Sequence, residues 1–351
     1  MQNKQTIIFG MPTVFDLSDL IEEALAAEGF TVASLSELYR QAGYPSFGAW
    51  LYAKYRKIVH KDKETAKNLK SLAALNQLKQ SGQPPHADYA LLISGDVFGK
   101  ELIAYLNQTV THGCVNYQFD GLKRFPAIYR LISLFKRFYV FDPADLTSDP
   151  KHLLPATNFY FNHTVEPSTT ISSDFYYAGT HHPSRQKIIT AFLDYVAQKP
   201  YRLDFNLLAG KLKTPRSVYP YPNINILRQG IGFKENLHRA QRSNVLLDFV
   251  IDEHSGLSFR VFEALGYRKK LITTNPTVRE YDFYHPDNIL ICNSCDFSAV
   301  DDFLQRPYHE LDSQIYRKYS FSNWLKYVLE IPPYLPIELP ADHKATQPHI
   351  E

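Results

Sequence analysis

The chain has 351 residues, 44% of them hydrophobic and 21% charged, with a formal net charge of +2. That is a globular composition with enough apolar material for two domains of common size, and its near-balanced charge supplies no global field for nucleic acid. No run of roughly 18 apolar residues predicts a membrane-crossing helix, the first residues make a poor secretory signal, and three cysteines fit a reducing compartment rather than a disulfide framework. A cytoplasmic protein is expected.

In chain order, QTIIFG (5–10) predicts a strand, LSDLIEEALAAEGF (17–30) an amphipathic helix closed by Gly29, and TVASL (31–35) a second strand. This strand-helix-strand grammar builds parallel sheets. Residues 50–80 predict helix and are strongly basic. DYALLIS (88–94) is a nearly continuous apolar run, hence a strand buried on both faces. HGCVNYQF (112–119) and RFYVFDP (137–143) follow as further strands. Residues 144–173 have linker composition, with a domain boundary near 155–170. The alternation restarts with strands at 173–179, 201–210, 244–250 and 269–274, and helices at 183–198, near 234–242 and from 257. FSNWLKYVLEI (321–331) predicts an amphipathic helix, and the proline-rich end an extended, wandering tail. The expected fold class is α/β: two Rossmann-like domains facing across a cleft, residues 1–155 and 170–315, then a helix over 316–332 that docks on the body and crosses back, then a tail over 333–351.

In open parallel sheets ligands bind outside the carboxyl ends of the strands. Asp96 and Asp120 end predicted strands and Asp16 follows one, so each is a candidate base for an acceptor hydroxyl, Asp120 first. For each of them the plain alternative is a turn or helix-capping aspartate. Cys292 and Cys295 have CxxC spacing, but no second pair completes a zinc site, and no metal is expected.

The stretch GLSFRVFEALGYRKKLITTN (256–275) places a strand, a turn containing His254, Ser255 and Gly256, and a helix start in succession, a geometry that binds anions. Gly256 lets a phosphate approach closely, the Ser258 hydroxyl donates, Arg260 reaches back to a diphosphate, and Glu263, on the same helix face, accepts from ribose hydroxyls. An ordinary i, i+3 ion pair between Arg260 and Glu263 explains the same spacing. The residues alone leave both readings open.

The run SGLSFRVFEALGYRKKLITTN, followed by YDFYHPDNILI, resembles the C-terminal signature of bacterial glycosyltransferases of the GT-B architecture that build lipopolysaccharide and capsular polysaccharide. DYALLISGD (88–96), NYQFDGLKRFP (116–126), FYVFDPAD (138–145), FYYAGTHHPSR (175–185) and GFKENLHRAQRSNVLLD (232–248) resemble blocks of the same group in the same order. The resemblance implies an enzyme whose C-terminal domain holds a nucleotide sugar, a UDP-sugar first and GDP- or CMP-sugar next, and whose N-terminal domain presents a glycan or glycolipid acceptor. It further implies that Gly256, Leu257, Ser258, Arg260 and Glu263 hold diphosphate and ribose, that Gly179, Thr180 and Arg185 lie on the other side of the phosphates, and that Thr273, Thr274 and Asn275 end the next strand beside them. Arg228 is a further candidate for stabilising the leaving diphosphate without a metal or cofactor.

Many retaining members carry two glutamates eight positions apart, whereas here Glu253 stands ten before Glu263, so the stereochemistry stays open. The His181-His182 doublet is a candidate phosphate or acceptor contact, with solvent-facing polarity as the alternative, and Lys269-Lys270 reads as a solvated turn. Residues 50–70 and 122–138, basic and aromatic, suit the anionic cytoplasmic face of an inner membrane, against a solvated helix face plus core aromatics. Rival functions are an epimerase acting on the donor alone and a non-catalytic glycan-assembly protein.

Overall fold

The computed structural model describes residues 4–12, 14, 16–62, 64–80, 87–163, 170–251, 256–292 and 294–340. Two compact units divide the chain: Met1–Phe141 with Asp145–Ala156, and Asp142–Ala144 with Thr157–Glu351. Each is an α/β unit built on one parallel six-stranded sheet, and both are Rossmann-like.

In the first unit the elements run β1 (Thr6–Gly10), α1 (Leu17–Ala27), β2 (Thr31–Ser34), α2 (Leu35–Gln41), α3 (Phe47–Val59), α4 (Glu64–Gln80), β3 (Tyr89–Ile93), α5 (Lys100–Thr109), β4 (Cys114–Gln118), β5 (Arg137–Val140), α6 (Pro143–Ser148) and β6 (Leu153–Pro155). The strand order is β2-β1-β3-β4-β5-β6, every neighbour parallel. Every residue of β3 and β4 is buried, as sheets covered by helices on both faces require. The chain leaves β1 for one side and returns through β3 to the other, so the topological switch point lies between β1 and β3.

The second unit follows as β7 (Ser173–Thr180), α7 (Pro183–Ala197), β8 (Leu203–Leu208), α8 (Pro215–Val218), β9 (Asn225–Leu227), α9 (Phe233–Gln241), β10 (Ser243–Asp248), α10 (Phe259–Gly266), β11 (Lys270–Thr273), β12 (Ile289–Ile291), α11 (Val300–Gln305), α12 (Ser313–Lys318) and α13 (Phe321–Leu329). Its sheet reads β9-β8-β7-β10-β11-β12, the doubly wound order in which a dinucleotide-binding fold puts its crevice between the first and fourth strands. Those strands are β7 and β10. Tyr177, Phe192, Phe205 and Phe249 fill the core on one face of this sheet, and Tyr176, Leu246, Phe262 and Leu271 the other.

Several elements depart from expectation for local reasons. The basic stretch 50–80 is two helices, not one: Lys61 turns to φ 51°, and Asp62 then accepts from the N–H groups of Glu64 and Thr65 and restarts the helix. Strands β6, β9 and β12 have three residues each, too few to show a period, and β6 lies inside the stretch read as linker. The tail does not wander over 333–340. Asn323 of α13 accepts from Leu335 N–H and donates to its carbonyl, and Ile337 is buried; residues 341–351 lie outside the described part. Helix α13 docks within the second unit, where Phe321 and Trp324 pack against Phe159. Among the described residues no helix is long and apolar enough to cross a membrane.

Candidate active site

At the carboxyl edge of the second sheet, β7 ends in Ala178, Gly179 and Thr180. Gly179 has no room for a side chain: a Cβ there would stand 2.5 Å from the Tyr177 hydroxyl. That hydroxyl is buried and has no hydrogen-bond partner among the described residues, while the ring stacks on Phe205. Burial raises its pKa above that of an ordinary phenol, so it stays a neutral donor.

Arg185 lies in the first turn of α7, where the positive end of the helix dipole opposes a cation. Its guanidinium is pinned across the switch point, donating through Nη2 to the Thr180 carbonyl at the end of β7 and through Nη1 to the Phe249 carbonyl, 3.2 Å away, just past β10. The Nε is buried without a partner. Among the described residues no carboxylate pairs with it, so both helix and guanidinium present uncompensated positive charge. His182 caps α7 by accepting from Ser184 N–H. His181 Nδ1 lies 2.8 Å from the Tyr219 hydroxyl, and its pKa is lowered, first by burial and then by the charges of His182 and Arg185. The doublet is thus partnered, not merely polar surface.

Across the switch point, Asp248 ends β10 and binds three elements together. Its Oδ1 accepts from the Ser258 hydroxyl (2.8 Å), its Oδ2 from the Thr273 hydroxyl (2.8 Å), and its carbonyl from Thr274 N–H. The Thr274 hydroxyl accepts from Val250 N–H, and Asn275 N–H donates to Thr273 Oγ1. Ser258 therefore gives its proton to Asp248, and no side chain caps the first turn of α10. Gly256 and Leu257 are buried immediately before that turn. His254, Ser255 and Glu253 lie outside the described residues.

Arg260 and Glu263 form the ion pair that their spacing allowed, and it is buried: Nη1 to Oε2 is 2.6 Å, with side-chain exposures of 10% and 2%. Arg260 Nη2 donates to Asn236 Oδ1 (2.8 Å), which also accepts from the Tyr176 hydroxyl, and the Asn236 amide faces Glu263 Oε1. The guanidinium lies 4.8 Å from the Tyr176 ring centre. This network clamps α10 to α9 and β7. Both carboxylate oxygens are used inside the protein. Arg260 and Glu263 thus hold the helix whose first turn faces the switch point.

Two further basic residues have backbone carbonyls as partners. Arg228 follows the edge strand β9, two strands over from β7, and donates to the Leu212 carbonyl. Lys270 is no solvated turn. It is buried in β11, and its ammonium donates to the Phe303 and Arg306 carbonyls at the end of α11, where a cation complements the helix dipole.

The carboxyl edge of the first sheet carries the three aspartates. Asp96 follows β3 in a buried 3-10 turn, 3.2 Å from Lys67 Nζ; its carboxyl is raised by burial, against the opposing pull of Lys67. Asp120 follows β4, part-buried and paired with Arg124 at 3.2 Å. Asp16 precedes α1 in the left-handed region without capping it. Asp16 and Asp96 flank the switch point between β1 and β3, and Asp120 stands one strand further on. Asp248 escaped the sequence reading, although the rule that selected Asp96 and Asp120, an acidic residue closing an apolar strand, selects it too. Asn236 and Tyr176 had no local signal.

No protein-family model matches the sequence, and no curated protein does. Solved structures do. The chain is similar to AviGT4, a glycosyltransferase involved in avilamycin A biosynthesis, with a TM-score of 0.55 at 10% identity over 93% of this chain and 96% of that one. It also matches the lipopolysaccharide outer core galactosyltransferase WaaB (TM-score 0.47, 13% identity, 93% and 99% covered). A third match is a Listeria monocytogenes protein described as UDP-N-acetylglucosamine 2-epimerase (0.49, 10%, 88% and 93%). The first likeness establishes the fold, an α/β chain of two Rossmann-like domains with GT-B glycosyltransferase neighbours. A fold of this kind hosts more than one chemistry.

Proposed function

We propose that the chain is a glycosyltransferase moving a sugar from a nucleotide-activated donor, a UDP-sugar first and a GDP- or CMP-sugar next, to a surface-glycan acceptor of the lipopolysaccharide or capsule kind. One observation carries the reading: Arg185, pinned by backbone carbonyls from both sides of the β7/β10 switch point and unpaired with any described carboxylate, sits at a helix start above the unpartnered Tyr177 hydroxyl. A diphosphate supplies the missing negative charge and acceptor atoms together. The backbone of Gly256, Leu257 and Ser258, held by Asp248 and by the Arg260–Glu263 clamp, closes the same group from the other side. Arg260 and Glu263 are positioning residues in this reading.

Transfer requires charge to be stabilised on the departing diphosphate, and preorganised donors do this most effectively where water is excluded. Arg185, the Tyr177 hydroxyl and the first turn of α10 supply those donors. For the acceptor hydroxyl, Asp96 is the favoured base, since burial raises its carboxyl toward the pH at which it must accept a proton; Asp120 and Asp16 follow. The test is incubation with UDP-, GDP- and CMP-sugars with and without a lipopolysaccharide or capsule acceptor. Nucleotide release that depends on acceptor supports transfer, an epimerised donor sugar replaces it with the rival reaction, and no turnover of any donor overturns it. Asp96→Asn is expected to lower kcat by about 10²–10⁴-fold. In the wild type the acidic limb of the rate profile should lie above the usual carboxylate range of about 4, because activity needs the deprotonated form of a group whose pKa is raised.

A further inference from the structure

Helix α3 wears its amphipathicity inside out. Toward the body it turns Ala49, Ala53 and the Arg56 stem, with Ala53 buried and Arg56 paired with Asp62. On a 100° wheel the opposite side carries Phe47, Leu51, Tyr55 and Ile58, with Tyr52 and Val59 beside them. They are exposed by 73%, 47%, 53%, 75%, 51% and 58% respectively. These six make up most of the large hydrophobic side chains exposed among the described residues, where Tyr129 and Leu154 are the others. Scattered apolar residues on a surface are ordinary, whereas a contiguous apolar helix face marks an interaction site.

Charge decides what covers it. Helix α3 contains no acidic residue. Lys54 and Lys57 are exposed along one flank, Lys54 lying over the Trp50 ring at 4.1 Å, and Lys61 follows just beyond the helix end. A second copy packed face to face would set like charges against each other, since a two-fold interface pairs a patch with itself. An anionic bilayer instead takes the apolar ridge into its acyl boundary, seats the tyrosines at headgroup level and attracts the lysines. We propose that α3 is an interfacial helix that docks this protein on anionic phospholipid. The other stretch read as basic and aromatic, 122–138, contributes little to such a face: Leu122, Ile128, Ile132, Phe135 and Phe138 are all buried. The inference does not depend on the glycosyl-transfer reading.

The experiment is flotation of the full chain with vesicles of phosphatidylglycerol mixed with phosphatidylcholine and with phosphatidylcholine alone. Emission from Trp50 is followed in parallel, since the chain's other tryptophan, Trp324, is fully buried. Binding is expected to the anionic vesicles, to weaken with salt, and to shift Trp50 emission to the blue. The double variant Leu51→Glu with Ile58→Glu, whose side chains point away from the core, should keep its melting curve and lose affinity on the order of ten-fold or more. Lys54→Gln with Lys57→Gln should lose mainly the preference for phosphatidylglycerol, which keeps the test sound if the first variant fails to fold. Absence of wild-type binding at low salt overturns the proposal. So does unchanged binding by both variants, or a dimer in light scattering that Leu51→Glu with Ile58→Glu dissociates, which would make a second copy the occupant.

Discussion

Helices α10 and α3 break the apolar-inside pattern in opposite ways. Helix α10 buries Arg260 and Glu263, the two charges one would leave in water, among Val261, Phe262 and Leu265, while α3 exposes the apolar side chains one would bury. A buried ion pair is weak evidence of stabilisation, because desolvation offsets most of the attraction, but each member requires the other once both are inside. The inward break therefore serves geometry: it fixes the α10 start opposite Arg185. The outward break makes only local contacts, Phe47 on Trp50 and Tyr55 against His60, and leaves its apolar ridge to a surface outside the chain.

The contrast predicts a graded series of effects. Arg260→Ala strands Glu263 in the interior and should destabilise the second unit by about 3–5 kcal/mol, on the order of 10 °C in melting temperature. Replacing the pair together, Arg260→Met with Glu263→Leu, should recover most of that loss; a denaturation curve for the double variant no better than the single one breaks the clamp argument. Gly179→Ala drives a methyl against the Tyr177 hydroxyl and should cost about 1–3 kcal/mol, together with nucleotide affinity, read by thermal shift with and without UDP.

A smaller effect belongs to His181. Its folded-state pKa is lowered, so the stability it contributes is present above the unfolded value of about 6.5 and is lost as pH falls through the folded one. His181→Gln should flatten that acid-side decline in urea midpoints. Smallest of all, the α3 variant Leu51→Glu with Ile58→Glu should change stability by no more than about 0.5 kcal/mol; a larger loss would mean that the outward face packs against something in the folded chain.

Much of the architecture was legible because parallel strands advertise themselves. YALLI is apolar throughout and SNVLLD has an apolar centre, and the helices between them carry clear periods. Strand order was not legible, since no residue of β7 names β10 as its neighbour, and neither were strands of three residues. At the site, the sequence singled out turns and residue types, but not the side chains they are bonded to. Spacing left Arg260 and Glu263 open between ligand contacts and an ordinary ion pair, because the partners that hold Ser258, Arg260 and Glu263, namely Asp248, Asn236 and Tyr176, lie 10 to 84 positions away and become visible only when the sheet brings them together. Lys270 misled for a similar reason: a doublet before a strand looks solvated until the end of α11, more than thirty residues on, arrives to take the ammonium.

In the proposed reading the β7/β10 switch point binds a nucleotide diphosphate through Arg185. Calorimetric titration of the wild-type chain and of Arg185→Ala with UDP, GDP and CMP tests it most directly. Saturable binding of at least one nucleotide to the wild type, weakened on the order of ten-fold or more in a folded Arg185→Ala chain through loss of a charge-assisted contact, is the predicted result. Equal binding by the two proteins, or no binding of any of the three to the wild type, contradicts it.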